Sequence, residues 1–179
     1  MTKVCSDTMF SEATSAIGNT CAQIHITAEG YASGDPMKSK SKAHESLDKF
    51  CREDGILHIL VTNRAREELY GEWGRIVKQN LIDQHTTEPH SGWQNKVEAK
   101  IREFSKHHNR IMARHKSPDA FWDFGWIYTR DIRKFLVRNS TNGRPPCEMI
   151  GDGRPINISE YMDFDFYQWV KYRDKPQYK

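Results

Sequence analysis

Several changes of hydrophobic period divide the chain into elements. Residues 4–10 (VCSDTMF) form a run of strand length that carries one acid, Asp7. Residues 20–28 alternate cleanly: Ala22, Ile24, Ile26 and Ala28 fall on one face, and Cys21, Gln23, His25 and Thr27 on the other. That period of two is the signature of a β-strand. Gly18-Asn19 between the two runs suits a hairpin turn. Tyr31 to Met37 predicts a third strand, and its Gly34, Asp35 and Pro36 suit an edge position. Residues 40–54 predict a helix with Ala43, Leu47, Phe50 and Cys51 inward, ended by Gly55. Ile56 to Thr62 is too short for a helix and apolar enough for a central strand buried on both faces. A helix over 66–80 would bury Leu69, Trp73, Ile76 and Val77, and Leu81-Ile82 begins a short last strand.

A long helix follows a Pro/Gly/Ser turn. At about 100° per residue, Val97, Ile101, Phe104, His108, Ile111 and Met112 share one face, and Lys96, Lys100, His107, Arg110 and Arg114 the opposite one. Glu98 sits on the flank between them. A further helix, 118–138, would pack Phe121, Trp122, Gly125, Thr129, Ile132 and Phe135, with Pro118 near its start. Residues 139–155 are turn-rich, and the run from Phe164 to Val170 suits a strand or an extended arm. The order β-β-β-α-β-α-β-α predicts a mixed sheet with helices packed against it.

Composition narrows the function classes. The 179 residues suffice for one good core. Charged residues make up 28%, yet five Trp, seven Tyr and eight Phe supply core volume and argue against disorder. The net charge of +3 matters less than its distribution, because Lys, Arg and His crowd residues 96–116. Cys5, Cys21, Cys51 and Cys147 form no CxxC pair and the histidines have no ligand spacing, so reduced thiols rather than a structural zinc site are expected. No apolar run approaches the roughly 18 residues of a membrane span and no signal peptide opens the chain, so an intracellular protein with no membrane partner is expected.

Two motifs carry a resemblance. The apolar run ending in Thr62-Asn63 is followed, 35 positions after Asn63, by Glu98 in Gln94-Asn95-Lys96-Val97-Glu98. This resembles the integrase catalytic core of LTR retrotransposons, the copia-type and gypsy-type elements, and so the retroviral-integrase-like family. That family carries an Asp at the end of such a strand and a Glu on a helix opened by Gln-Asn. The phrases GRPPCEMIGDGRP and ISEYMDFDFYQWVKYRD are similar to segments that follow the core in the same family.

The resemblance implies an α/β ribonuclease H-like fold, with a five-stranded mixed sheet flanked by helices, over residues 1–138, and a C-terminal extension over 139–179. It implies a catalytic triad of Asp7, Asn63 and Glu98, with Asp7 and Glu98 as ligands of Mg²⁺ or Mn²⁺. It also implies double-stranded DNA as partner, with Lys96, Lys100, Arg110 and Arg114 on phosphates, a homo-oligomer, and a nuclear location for a working integrase. The family activity is DNA 3′-processing and strand transfer.

The chain departs from the pattern at Asn63, where the family has Asp, and Arg64 adds a cation beside it. Two divalent ions about 4 Å apart repel by roughly 16 kcal/mol in gross Coulomb terms at an effective dielectric of about 20. Anionic ligands offset that repulsion, and an amide does not. The expected reading is a retroelement-derived core with impaired catalysis. Glu67 and Asp83 are the nearest acids that could stand in. The competing readings are an active divalent-metal-dependent polynucleotidyl transferase that tolerates Asn63, and a domesticated DNA- or protein-binding module without catalysis.

Overall fold

The computed structural model describes residues 3–55, 57–63, 65–86, 92–137, 141–150, 157–159 and 165–168, with the side chains of 92–97 outside that set. Five strands are present: β1 (Lys3–Phe10), β2 (Cys21–Thr27), β3 (Ala32–Met37), β4 (Ile59–Thr62) and β5 (Asp83–Thr86). The helices are α1 (Ala43–Glu53), α2 (Gly71–Gln79), α3 (Gly92–His115), α4 (Trp122–Phe135) and α5 (Pro146–Ile150). The sheet order is β3-β2-β1-β4-β5. β1, β2 and β3 form an antiparallel meander, while β4 runs parallel to β1 and β5 parallel to β4. This is the mixed five-stranded sheet expected from the order of hydrophobic periods.

Helices cover both faces of the sheet. One face carries Val4, Cys21 and Leu60 against Leu47 and Phe50 of α1 and Trp73 and Ile76 of α2. The other carries Cys5, Ile24, Ile26 and Val61 against Phe104, Ile111 and Met112 of α3 and Trp122 and Trp126 of α4. All seven residues of β2 are therefore buried, and its polar positions hold buried side chains rather than a solvated face. His25 is one of them, set against Phe50 and Trp73. Burial pushes its pKa down to about 4, so it stays neutral near pH 7.

β3 is an edge strand, as its composition requires, and pairs with β2 from Ala32 to Met37. Gly34 adopts φ +122, and a Cβ there would collide with the backbone carbonyl of Gln23. Both flanking helices then fasten this strand. Arg130 of α4 donates to the Gly34 carbonyl at 2.8 Å, and Lys49 of α1 pairs with Asp35 at 2.6 Å.

Some element boundaries differ from the periodic reading. The β1–β2 connection is a ten-residue loop, 11–20, turned at Gly18 (φ +88) and docked on α4's approach through Ala16 N–H to the Ala120 carbonyl at 2.7 Å. The helix expected over 66–80 is a short 3-10 turn, Arg66–Glu68, followed by α2. Tyr70 is extended and Gly71 sits at φ +63, so the 3-10 turn does not continue into α2, which begins only at Gly71. Helices 40–54 and 118–138 likewise open with 3-10 turns, Lys40–Lys42 and Asp119–Phe121. α4 ends at Phe135, and the expected strand start at Leu81 is a left-handed residue (φ 53) just before β5. Of the run 164–170, Asp165 to Gln168 form a turn that buries Phe166 among α3 and α4 residues. The rest of that run, Ile56, Arg64 and the turn 87–91 lie outside the described residues.

Replacing Gly34 by Ala tests the edge-strand geometry. The added Cβ meets backbone, which cannot yield as a side chain can, and the φ is strained for any L residue. Chemical denaturation should show a loss of about 3 kcal/mol. A change below about 0.5 kcal/mol would mean that the strand relaxes freely.

Candidate functional site

The register of β1 against β4 builds the site. Cys5 pairs with Val61, and two residues further along these parallel strands stand Asp7 and Asn63. Both leave the sheet on the α3/α4 side, at the carboxyl end of β4, where open α/β sheets usually hold ligands. Asn63 Nδ2 donates to Asp7 Oδ1 at 2.9 Å. The backbone N–H of Thr8 donates to the same oxygen at 2.8 Å. Asn63 Oδ1 in turn accepts from the Ala65 N–H at 2.9 Å, an Asx turn that fixes the amide. Turning the amide over would set oxygen against carboxylate and NH₂ against N–H, so both bonds dictate its orientation.

Electrostatics identify the other members. Burial pushes the Asp7 carboxyl above its ordinary pKa, the Thr8 N–H and the Lys40 ammonium pull it down, and the charge of Glu98 pushes it up. Glu98 thus lies within electrostatic reach of Asp7, from the first turns of α3, with an exposed side chain. The three triad positions of the sequence reading therefore share one corner of the molecule.

Whether that corner suits a pair of divalent ions follows from its donors. Asp7 Oδ1 already takes two N–H groups, and the Asn63 amide presents its NH₂ to Asp7 and its oxygen to backbone. No group of three His, Cys, Asp or Glu side chains that could hold a metal ion occurs among the described residues. These described donors do not fit a two-ion centre.

Two acids considered as substitutes stand elsewhere. Glu67 is exposed, and Asp83 is exposed and pairs with His85 at 2.8 Å. The acid that approaches is Glu68, which the sequence reading missed. It is fully buried on the α1/α2 side of the sheet, where Oε1 accepts from Gln23 Nε2 at 3.0 Å and from Thr8 Oγ1 at 3.4 Å. Its Oε2 has no hydrogen-bond partner among the described residues. Burial is the main cause of a pKa raised to about 7, with the Asp7 charge adding to it against Gln23, Lys40 and Thr8. The only sequence signal was the pair Glu67-Glu68, and the 3-10 turn decides which of the two points inward.

The expected phosphate contacts divide. Lys96 lies in α3, with its side chain outside the described set. Lys100 donates to the carbonyls of Thr27 (3.2 Å) and Ala28, fastening α3 to the end of β2. Arg110 and Arg114 are exposed, and the structure adds Arg102 and Lys106 to them. Spaced four residues apart, these four make a cationic ridge about 18 Å long at 1.5 Å rise per residue.

Comparisons with known proteins bear on the fold. No protein-family model matches the chain, and no curated protein matches it in sequence. Among solved structures it is similar to the HTLV-2 integrase catalytic core domain in complex with magnesium (trimeric form), at 14% identity and a TM-score of 0.64. The match covers 83% of this chain and 94% of that one. The chain therefore has the α/β, ribonuclease H-like fold of an integrase core. No helix among the described residues is long and apolar enough to cross a membrane.

Glu68 makes stability depend on pH. Its folded pKa of about 7 lies above the ordinary 4.5, so the folded state holds a proton that the unfolded state releases. This contribution is complete below about pH 4.5 and is lost as pH rises through about 7. Glu68→Gln mimics the protonated acid. The variant should match wild type near pH 4.5 and exceed it by about 3 kcal/mol at pH 8. Parallel stability–pH curves from urea melts would contradict the burial argument.

Proposed function

We propose that this chain is a retroelement-derived, integrase-like core that binds double-stranded DNA and whose strand-transfer chemistry is impaired. The observation that carries the proposal is the hydrogen bond from the Asn63 amide to Asp7, at the corner where the resemblance puts two metal-binding carboxylates. The solved neighbour is an integrase core with magnesium. Here the corresponding corner is closed by an amide, with Asp7 and Glu98 as its remaining acids on that face. Mg²⁺ or Mn²⁺ would find two carboxylates instead of three, at a cost in affinity above the roughly 10–100-fold of a lost outer partner.

The α3 ridge supports the nucleic-acid part. Arg102, Lys106, Arg110 and Arg114 are exposed cations on one helix, beginning one turn after Glu98, and their spacing suits successive phosphates of a duplex. The reading includes assembly of several copies, as in the trimeric neighbour, and a nuclear site of action.

Two measurements test these halves separately. Strand transfer on a duplex oligonucleotide should be at least about tenfold faster for Asn63→Asp than for wild type. Equal rates would favour an active transferase that tolerates the amide. Duplex binding should survive EDTA and weaken with salt, and Arg110→Ala with Arg114→Ala should lower the slope of log K against log salt by about two. An unchanged slope would remove α3 from the interface.

A further inference from the structure

A cavity of about 630 Å³ lies between the end of β1, the second half of α3 and the start of α4. Among the described residues, Asp7, Asn63 and Glu98 take no part in its lining, so it is separate from the candidate site. Its volume falls within the roughly 300–1,000 Å³ of sites that hold small organic ligands.

The walls differ in chemistry. Met112 and the indoles of Trp122 and Trp126 are buried and form one side, a polarisable surface of the kind that takes up flat aromatic rings. Neither indole Nε1–H has an acceptor among the described residues, which is uncommon for buried donors. Ser105, Asn109 and Ala113 stand at four-residue steps along α3 and form another side. The Ser105 hydroxyl donates to the Ile101 carbonyl at 3.0 Å, and the Ser117 hydroxyl, also in the lining, to the Met112 carbonyl at 3.3 Å. With their protons so engaged, both oxygens offer lone pairs to an occupant. Glu12 and Asp119 add exposed carboxylates against the ammonium of Lys116. Burial lowers the pKa of His108, so that ring stays neutral near pH 7 and adds no cation.

These properties select a ligand. The excess of carboxylates opposes a phosphate or carboxylate group, and the lone pairs call for N–H donors. The indoles and the thioether call for a flat ring. A planar heterocycle with an exocyclic amine meets all three conditions. We propose that the cavity is a binding site for an amine-bearing nucleobase, of the adenine or cytosine type. The ring can come from a free nucleoside or from an unpaired base of a DNA strand. The second source suits the position of the cavity, because Ser105, Asn109 and Ala113 each precede by one residue Lys106, Arg110 and Arg114 of the cationic ridge. The two stripes therefore lie about 100° apart round one helix. Only this second source rests on the DNA-binding reading.

Calorimetric titration of the full chain with adenosine and with inosine, which has a carbonyl in place of the amine, tests the proposal. Adenosine should bind roughly tenfold more tightly than inosine, and it should shift the indole N–H resonances of Trp122 and Trp126. Ala113→Trp and Asn109→Trp put bulk at two exposed positions of the lining. Each should weaken adenosine binding by about tenfold or more, whereas Gln79→Trp, exposed on α2, should not. In a second arm, a duplex ending in one unpaired adenine is compared with the blunt duplex and with an unpaired hypoxanthine. A preference for the adenine end that Ala113→Trp abolishes supports the strand as source, and adenosine binding without that preference supports the free nucleoside. Failure of the blunt duplex to bind, with adenosine still bound, would count against the DNA-binding reading alone. The proposal is overturned by the absence of both adenosine binding and overhang preference, by equal affinity for adenosine and inosine, or by binding that both Trp variants of the lining leave unchanged.

Discussion

The parallel pairing of β1 with β4 is the constraint on which the rest of this molecule depends. It holds because helices cover both faces of the sheet, so that Val4 and Leu60 pack toward α1 and α2 while Cys5 and Val61 pack toward α3 and α4. A slip of one residue would send each of these side chains to the opposite core. With the register so determined, Asp7 and Asn63 must emerge side by side, although 56 positions separate them. The closeness of the two is thus a consequence of core packing and not of any attraction between them.

Given that closeness, one atom type decides the character of the corner. Two carboxylates at hydrogen-bond distance would repel and call for a cation or a shared proton. An amide in one position converts repulsion into a hydrogen bond, and the Asx turn to Ala65 leaves that amide no other orientation. Asp7 Oδ1 and both ends of the Asn63 amide are thereby hydrogen-bonded. On the far side of the same strands, Ser6, Thr8, Gln23 and Glu68 form a second polar group in which Gln23 bridges Ser6 Oγ at 2.7 Å and Thr8 Oγ1 at 2.7 Å. Strand β1 therefore carries alternate polar residues that serve opposite faces, and the acids on the two sides feel each other's charge through it.

α3 shows how one helix is divided between fold and surface. Phe104, Ile111 and Met112 build the core, His108 is partly buried beside them, and Gly125 of α4 lets the two helices approach so closely that a Cβ would strike the Met112 sulfur. Lys100 leaves the cationic set because its ammonium satisfies carbonyls at the end of β2. The cations that face solvent are those one ridge further round. A helical wheel separates buried from exposed arcs, but it cannot see which lysine has a carbonyl within reach.

Local pattern was enough for much of the architecture. The alternation over Cys21–Thr27, the apolar run ending at Thr62 and the wheel of α3 each state a period, and a period depends only on neighbours along the chain. So does the unsuitability of Gly34-Asp35-Pro36 for anything but an edge, whereas the Asp7, Asn63 and Glu98 positions are named from the family resemblance. Other features depend on groups distant in sequence. The break at Tyr70-Gly71, the inward turn of Glu68 rather than Glu67 and the amide's orientation all arise where strands and turns from separate parts of the chain meet. Burial and Coulomb interaction act through space, so residues that look alike in sequence acquire different roles only after the sheet has closed over them.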